Sequence, residues 1–310
     1  MKILVIGATG LIGRALCQSL TAAGHTPTAL SRSARKPPGL SVTEVHQWDY
    51  QQGLLPPAAL AEVEAVVNLA GESIVARRWS DEQKRIIRDS RVVATRNIVE
   101  SLRQLDRKPQ VFVGGSAVGF YGDRGDEQVD ETSPAGRGFM SEICQEWERE
   151  AARATELGVR VVQVRTGVVL STEGGALQKM VAPFKLGLGG PLGSGRQWFP
   201  WIHLDDIVGI ITHSILTASL SGAVNGTAPE PVTNAEFTRE LGRVLHRPAF
   251  LPVPRVGLRI LMGEMSEVLF VSQRVLPKAT LASGYKFKFT SLADALDDLF
   301  GRSKAAKGAA

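Results

Sequence analysis

Ile3–Ile6 is an unbroken apolar run. It leads directly into Gly7-Ala8-Thr9-Gly10-Leu11-Ile12-Gly13, which opens an amphipathic stretch closed by Gly24. A G-x-x-G-x-x-G set between a strand and a helix constrains the chain more than any other feature. Gly7 lets the backbone turn out of the strand, Gly10 lets it approach a pyrophosphate with no Cβ in the way, and Gly13 lets the helix pack closely on the sheet. The first-turn N–H groups of such a helix point at an anion, with the positive end of the helix dipole behind them. Gly7, Thr9, Gly10, Leu11, Ile12 and Gly13 are therefore expected to cradle a dinucleotide.

Downstream, short apolar runs alternate with longer amphipathic ones, the pattern of βαβ units around a parallel sheet covered on both faces. Strands are expected at Lys2–Ile6, Thr26–Leu30, Val42–His46, Ala65–Leu69, Val111–Gly114 and Val159–Arg165, and helices at Leu11–Ala23, Asp81–Leu105 and Phe139–Leu157. Asp205–Thr217, Asn234–Leu245 and Val256–Met262 also read as helical, with a short strand at Val224-Asn225. The fold class is α/β: a Rossmann-type doubly wound parallel sheet with a smaller C-terminal α/β substrate region. The expected division is a nucleotide-binding domain over 1–170 to which 205–226 returns, a mainly substrate-binding region over 171–300, and a flexible tail over 301–310.

The second strand ends in Ser31-Arg32, where an NAD-specific site carries an acid for the ribose 2′-hydroxyl. Arg32 can instead pair with a 2′-phosphate and Ser31 can donate to it, so the expected cofactor is NADP(H). Asn68-Leu69-Ala70-Gly71 follows the fourth strand and should line the adenine-ribose side, and Arg91 on the next helix can reach the phosphates.

Net charge is +5, but cations and acids are interleaved, with no basic run or aromatic-basic stripe for nucleic acid. Cys17 and Cys144 are isolated within helical patterns, which excludes CxxC redox and metal-ligand spacings and points to a reducing compartment, the cytoplasm or an organelle matrix after processing. No apolar stretch is long enough to span a bilayer, and none has the pattern of a secretory signal.

With this glycine loop, Asn68–Gly71 and Ser116-Ala117-Val118-Gly119-Phe120-Tyr121-Gly122 in order, the chain resembles extended short-chain dehydrogenase/reductases of the NAD-dependent epimerase/dehydratase kind. The strings 165–170, 183–191 and 193–203 narrow the resemblance to an atypical epimerase-family subgroup of bacteria, plastids and animals, and it extends to about Leu299. It implies an NADP-dependent oxidoreductase or a nucleoside-diphosphate-sugar epimerase of unknown substrate. The helices of 81–105 and 139–157 correspond to those of a four-helix dimer interface, which implies a homodimer. Backbone at Val169 corresponds to the segment that meets the nicotinamide carboxamide.

Members of that superfamily move a proton with a Tyr and a Lys four residues apart, beside a Ser that polarises the substrate oxygen. Here both are missing: Met140 and Cys144 stand in their place or, one residue earlier, Phe139 and Ile143. Ser116 corresponds to the serine one residue early, and Tyr121 is a second candidate for acid/base work or a tyrosine packed at the strand end. The glycine-rich loop from 187 to 203 is the expected wall for a small, anionic substrate: Arg196 as a planar fork, Trp198 and Trp201 as stacking faces, His203 as a proton carrier. Core packing of the tryptophans and a structural histidine is the other reading of the same residues. Asp205-Asp206 is expected to cap the following helix. Two functions follow: an NADP-dependent oxidoreductase or epimerase, and an NADP(H)-binding protein without catalysis, a sensor or assembly factor.

Overall fold

The structure is a computed structural model that describes residues 1–33 and 35–308. Along the chain come β1 (Lys2–Ile6), α1 (Leu11–Ala22), β2 (Thr26–Ser31), β3 (Val45–Gln47), α2 (Pro57–Leu60), β4 (Ala65–Asn68), α3 (Asp81–Asp89) and α4 (Val92–Arg103). Next are β5 (Val111–Ala117), β6 (Gln128–Val129), α5 (Phe139–Ala152), β7 (Arg160–Thr166), β8 (Val168–Leu170), α6 (Gly175–Lys185), β9 (Trp198–Phe199) and β10 (Trp201–His203). The rest is α7 (Leu204–Leu216), β11 (Gly222–Gly226), β12 (Val232–Thr233), α8 (Asn234–Leu245), α9 (Arg255–Met262), β13 (Arg274–Val275), α10 (Lys278–Ala282) and α11 (Leu292–Gly308).

Two compact units result. The first holds residues 1–120, 138–165 and 208–224, the second 121–137, 166–207 and 225–310. Segments 121–137 and 166–170, expected in the nucleotide domain, thus belong to the second unit. Helix α11 carries the backbone to Gly308; the last two residues of the expected tail lie outside the described residues.

In the first unit, seven strands lie in the order β11-β7-β5-β4-β1-β2-β3, the crossover to β4 falling beside β1. The pairs β1–β2, β2–β3, β1–β4 and β4–β5 are parallel. Leu4, Ile6, Leu30, Val66 and Phe112 from these strands meet Ile98, Val99 and Leu102 of α4 in one buried cluster. A strand covered on both faces must be apolar throughout, which is why these strands read as continuous runs. Arg160 donates to the carbonyls of Ser214 and Ile215, acceptors that the end of α7 leaves open, and to that of Leu220 in the turn beyond.

The single helix expected over 81–105 is broken at Ser90-Arg91. The Ser90 hydroxyl donates to the Ile87 carbonyl and accepts from the Glu72 N–H, a local alternative to the helix ladder. Helix α5 likewise gives way to a 3-10 turn over Arg153–Leu157, which Gly158 closes in the left-handed conformation at φ +77°.

The second unit has its own core, in which Leu177 and Phe184 of α6, Trp201, Phe237 and Leu241 of α8, and Leu296 of α11 are buried together. Its strands pair in twos: β8 with β10, β9 with β12, β6 with β13. The stretch after 171, where the sequence suggested no helix, contains α6. Leu177, Val181 and Phe184 recur there at helical spacing, and Pro183 sits in the last turn, where it hid the pattern. Asp206 does more than begin α7: buried, it accepts from the Tyr285 hydroxyl and from the Lys288 and Phe289 N–H groups, tying 285–289 to the helix start.

Candidate functional site

The parallel register of β1 with β2 and β4 sets Ile6 beside Leu30 and Asn68, so the segments leaving these strands, 7–13, 31–32 and 68–71, emerge side by side. Gly7 takes φ +84°, and a Cβ there would stand 2.7 Å from the Leu69 carbonyl. A Cβ on Gly13 would stand 2.2 Å from the Gly7 carbonyl oxygen, whereas Gly10 has only that oxygen near it, at 3.4 Å. Two of the glycines thus close the turn and the middle one leaves open room. Helix α1 starts at Gly10 with no side-chain cap and no acid in its first turn, so the N–H groups of the turn face outward unneutralised. Thr9 is exposed, with Leu11 and Ile12 half-buried behind it, and the Arg14 guanidinium donates to the Thr9 carbonyl at 3.0 Å.

Ser31 and Arg32 stand where the sequence places them. The Ser31 hydroxyl accepts from the Ser33 N–H, while Arg32 is exposed and its carbonyl accepts from Gln47. No ion pair involves Arg32 among the described residues. Asn68 is fully buried. Its amide donates to Thr95 Oγ1, which also accepts from the Trp147 indole, and its Oδ1 receives the Ala70 N–H, so the turn through Leu69 to Gly71 is set by a side chain. Arg91 is not a solvated helix arginine. It packs so closely on Gly71 that a Cβ there would stand 2.9 Å from Cζ, it lies 5.5 Å from the Trp147 ring centre, and it donates to the Ile87 carbonyl. Burial lowers its pKa, opposed by Cys144 and Glu72.

At the end of β5 the structure decides the register left open by the sequence. A Cβ on Gly119 would lie 3.3 Å from Met140 Cβ and 3.8 Å from Cys144 Sγ, so this pair of α5 faces the strand end. Ile143 is buried and Phe139 turns to Trp79, ring centres 5.0 Å apart. Burial, and then Glu148, push the Cys144 thiol up to about 11, so it holds its proton at neutral pH. Ser116 is buried and donates to Glu148 Oε1 at 2.6 Å. That carboxylate is gripped by Arg165 through Nε and Nη2, both at 2.9 Å, and Arg165 lies 3.4 Å over the Phe120 ring. Nothing in the sequence near 116 signals the Glu148–Arg165 pair, whose members come from α5 and β7.

The second unit holds the other candidates. Tyr121 is completely buried and its hydroxyl donates to Asn225 Oδ1 at 2.7 Å; the Asn225 amide in turn donates to the Leu276 carbonyl. Val169 lies in β8, paired with Ile202. Of the expected substrate wall, Trp201 is a core residue, 1% exposed, its indole donating to the Glu230 carbonyl. His203 is equally buried: Nδ1 accepts the Asp205 N–H, Nε2 lies 3.4 Å from Asp298, and the ring packs on Phe289. The substrate roles expected for these two are corrected to structural ones, because both side chains are spent inside the unit. Arg196 is exposed. Trp198 remains half-exposed, its indole donating to Asp126 and its face covered by Arg274, which sequence reasoning missed.

A parallel sheet with a glycine turn, a following basic residue and an asparagine-set turn at adjacent strand ends defines a dinucleotide-fold protein. Comparison with known proteins narrows this class. The model of the NAD dependent epimerase/dehydratase family matches residues 3–225, and a domain of unknown function (DUF1731) matches residues 253–299. The chain is 42% identical over 308 residues to the chloroplastic homolog of epimerase family protein SDR39U1 from Arabidopsis thaliana, covering 96% of this chain and 86% of that one. It is 40% identical over 303 residues to epimerase family protein SDR39U1 of Homo sapiens, covering 96% and 99%. The crystal structure of human epimerase family protein SDR39U1 (isoform2) with NADPH superposes with a TM-score of 0.87 at 38% identity, over 97% of this chain and 99% of that one. The chain belongs to the NAD dependent epimerase/dehydratase family, the extended short-chain dehydrogenase/reductases. No helix among the described residues is long and apolar enough to cross a membrane.

Proposed function

We propose that this protein is an NADP(H)-binding oxidoreductase or epimerase-like enzyme acting on a small anionic substrate. The observation that carries the reading is the cradle itself: the closed turn of Gly7 and Gly13, the open Gly10, and Arg32 with no acid beside it. A relative of 38% identity and the same fold is described with NADPH, which supports the choice of nucleotide. The glycine turn and the start of α1 would hold the pyrophosphate, Ser31 and Arg32 the 2′-phosphate, and Asn68–Gly71 the adenine-ribose side. Arg91, buried against Gly71 with one hydrogen bond to a carbonyl, has N–H groups left for the phosphates.

When bound, the nicotinamide supplies or accepts a hydride. The chain's own part is to bind and orient, since the α5 positions that carry proton transfer in relatives are Met140 and a thiol that keeps its proton. Ser116 and Tyr121 are engaged with Glu148 and Asn225, so in this reading they position the strand end and the alkoxide proton exchanges with water or another substrate group. The same α5 observation favours a second reading, an NADP(H) sensor or assembly factor without turnover. Two buried thiols fit a reducing compartment, the cytoplasm or an organelle matrix. A homodimer through α4 and α5 follows the pattern of the wider superfamily.

Calorimetry with NADPH and NADH on the parent and on Arg32→Ala tests the cofactor claim. Arg32→Ala is expected to weaken NADPH by about 1–3 kcal/mol and to leave NADH nearly unchanged. If the parent binds neither nucleotide, the glycine turn is structural and the proposal fails. Oxidation of bound NADPH by any member of a carbonyl and sugar-nucleotide panel decides for the enzyme over the sensor.

A further inference from the structure

Several arginines drawn into this fold are answered within it. Arg165 grips Glu148, Arg153 bonds Glu150, Arg160 bonds three carbonyls, and Arg124 donates to the Tyr121 carbonyl. Arg274 is not: its Nε is buried without a hydrogen-bond partner, and no hydrogen bond or ion pair holds its guanidinium among the described residues. The Nε–H is closed off, so a partner from outside meets this guanidinium at its two terminal NH2 groups, which no acid among the described residues answers.

The surroundings of Arg274 are built rather than loose. Its backbone is in β13, in register with Gln128 of β6. Its Cζ lies 4.5 Å from the ring centre of Trp198. Trp198 is held by its main chain and its ring: its backbone N–H donates to Ser272 Oγ at 3.0 Å, its carbonyl accepts from the Gln273 N–H, and its indole Nε1–H donates to Asp126 Oδ1 at 3.0 Å. Ser272 Oγ in turn donates to the Gly125 carbonyl at 2.6 Å. The acids of this loop are committed elsewhere, Asp126 to the indole and Glu127 to Arg124. One face of the guanidinium therefore rests on an aromatic platform, and its in-plane N–H edge, on a half-exposed side chain, has no carboxylate of its own.

We propose that Arg274 on its Trp198 platform is the clamp for an oxyanion of the substrate, a carboxylate or a phosphate group. It rests on the reading of the protein as one that takes a small anionic substrate, and it moves the anion-binding role from Arg196, which is exposed, to Arg274. A planar fork held against an indole meets two oxygens of such a group at once and loses little freedom in doing so. The nucleotide cradle lies in the first unit and Arg274 in the second, so the two sites can be tested separately.

The experiment follows the Trp198 Nε1–H resonance in protein labelled with 15N-tryptophan, assigned with Trp198→Phe, while inorganic phosphate or glutarate is added. The expected result is a saturable shift with at least one of the two, weakened about tenfold or more in Arg274→Gln and less in Arg274→Lys, which keeps the charge and loses the fork. A response to phosphate alone assigns a phosphorylated substrate, and a response to glutarate alone a carboxylic acid. Absence of a saturable shift with either anion in the parent, or an undiminished one in a folded Arg274→Gln, overturns the proposal. NADPH calorimetry on the same variant reads the cofactor claim independently: loss of the anion response with NADPH binding intact keeps the two apart.

Discussion

Two glycine-rich stretches, residues 7–13 and 187–195, look alike in composition and do different work. In the first, the reasons for glycine belong to the turn and the strand end beside it: Gly13 must clear the Gly7 carbonyl, and Gly7 must turn with φ +84° directly after β1, against Leu69. In the second, the reasons are neighbours that pack on the stretch from outside it, one near in sequence and one far. A Cβ on Gly189 would strike the Phe184 ring, and one on Gly190 would fall within 1.6 Å of the Leu251 carbonyl oxygen. The first stretch leaves a concave, donor-lined turn, whereas the second packs its own unit and sends Trp201 and His203 inward. Glycine spacing is therefore informative about a ligand where a strand and a helix frame it, and uninformative where the glycines serve packing.

That contrast can be broken at three positions. Trp201→Ala should cost about 3–5 kcal/mol of stability, the range for truncating a buried tryptophan, measured by chemical denaturation. A loss under about 1 kcal/mol would return Trp201 to the substrate wall, since a solvent-facing ring has little to lose. Gly13→Ala forces a Cβ against the Gly7 carbonyl and should cost about 1–3 kcal/mol of stability, with NADPH affinity falling more steeply than the melting temperature implies. A variant that folds and binds as the parent would show that the turn is not closed in the way described. The smallest effect belongs to Arg196→Ala, expected within about 0.5 kcal/mol of the parent in denaturation because the side chain is exposed. A larger loss would reveal a packing role for this residue.

How much could be read in advance follows the same line. The strands Lys2–Ile6 and Ala65–Asn68, and helix α8 with its Thr233–Glu236 capping box, carry their signals within a few residues and stand in the structure close to where the sequence put them. The break at Ser90 was missed because the helix pattern runs on through it and the competing bond goes to Glu72, outside the window. Helix α6 was missed because Pro183 and the glycines around it imitate a loop. Trp198 kept its expected exposure, yet the arginine that faces it was invisible: Trp198 and Arg274 sit in separate strands with α7 and α8 between them.

By itself, the sequence determined the parallel sheet, the glycine turn and the cationic residue at the end of β2. Each depends on backbone sterics and hydrophobic periodicity acting over one strand–turn–helix. Only the tertiary structure decided which polar side chains are spent. Ser116 on Glu148, Tyr121 on Asn225 and His203 against Asp298 are paired across long stretches of chain, whereas Arg274 is left without a partner among the described residues. The reason is physical: whether a buried donor is satisfied depends on what folds against it, and no local pattern of residues encodes that.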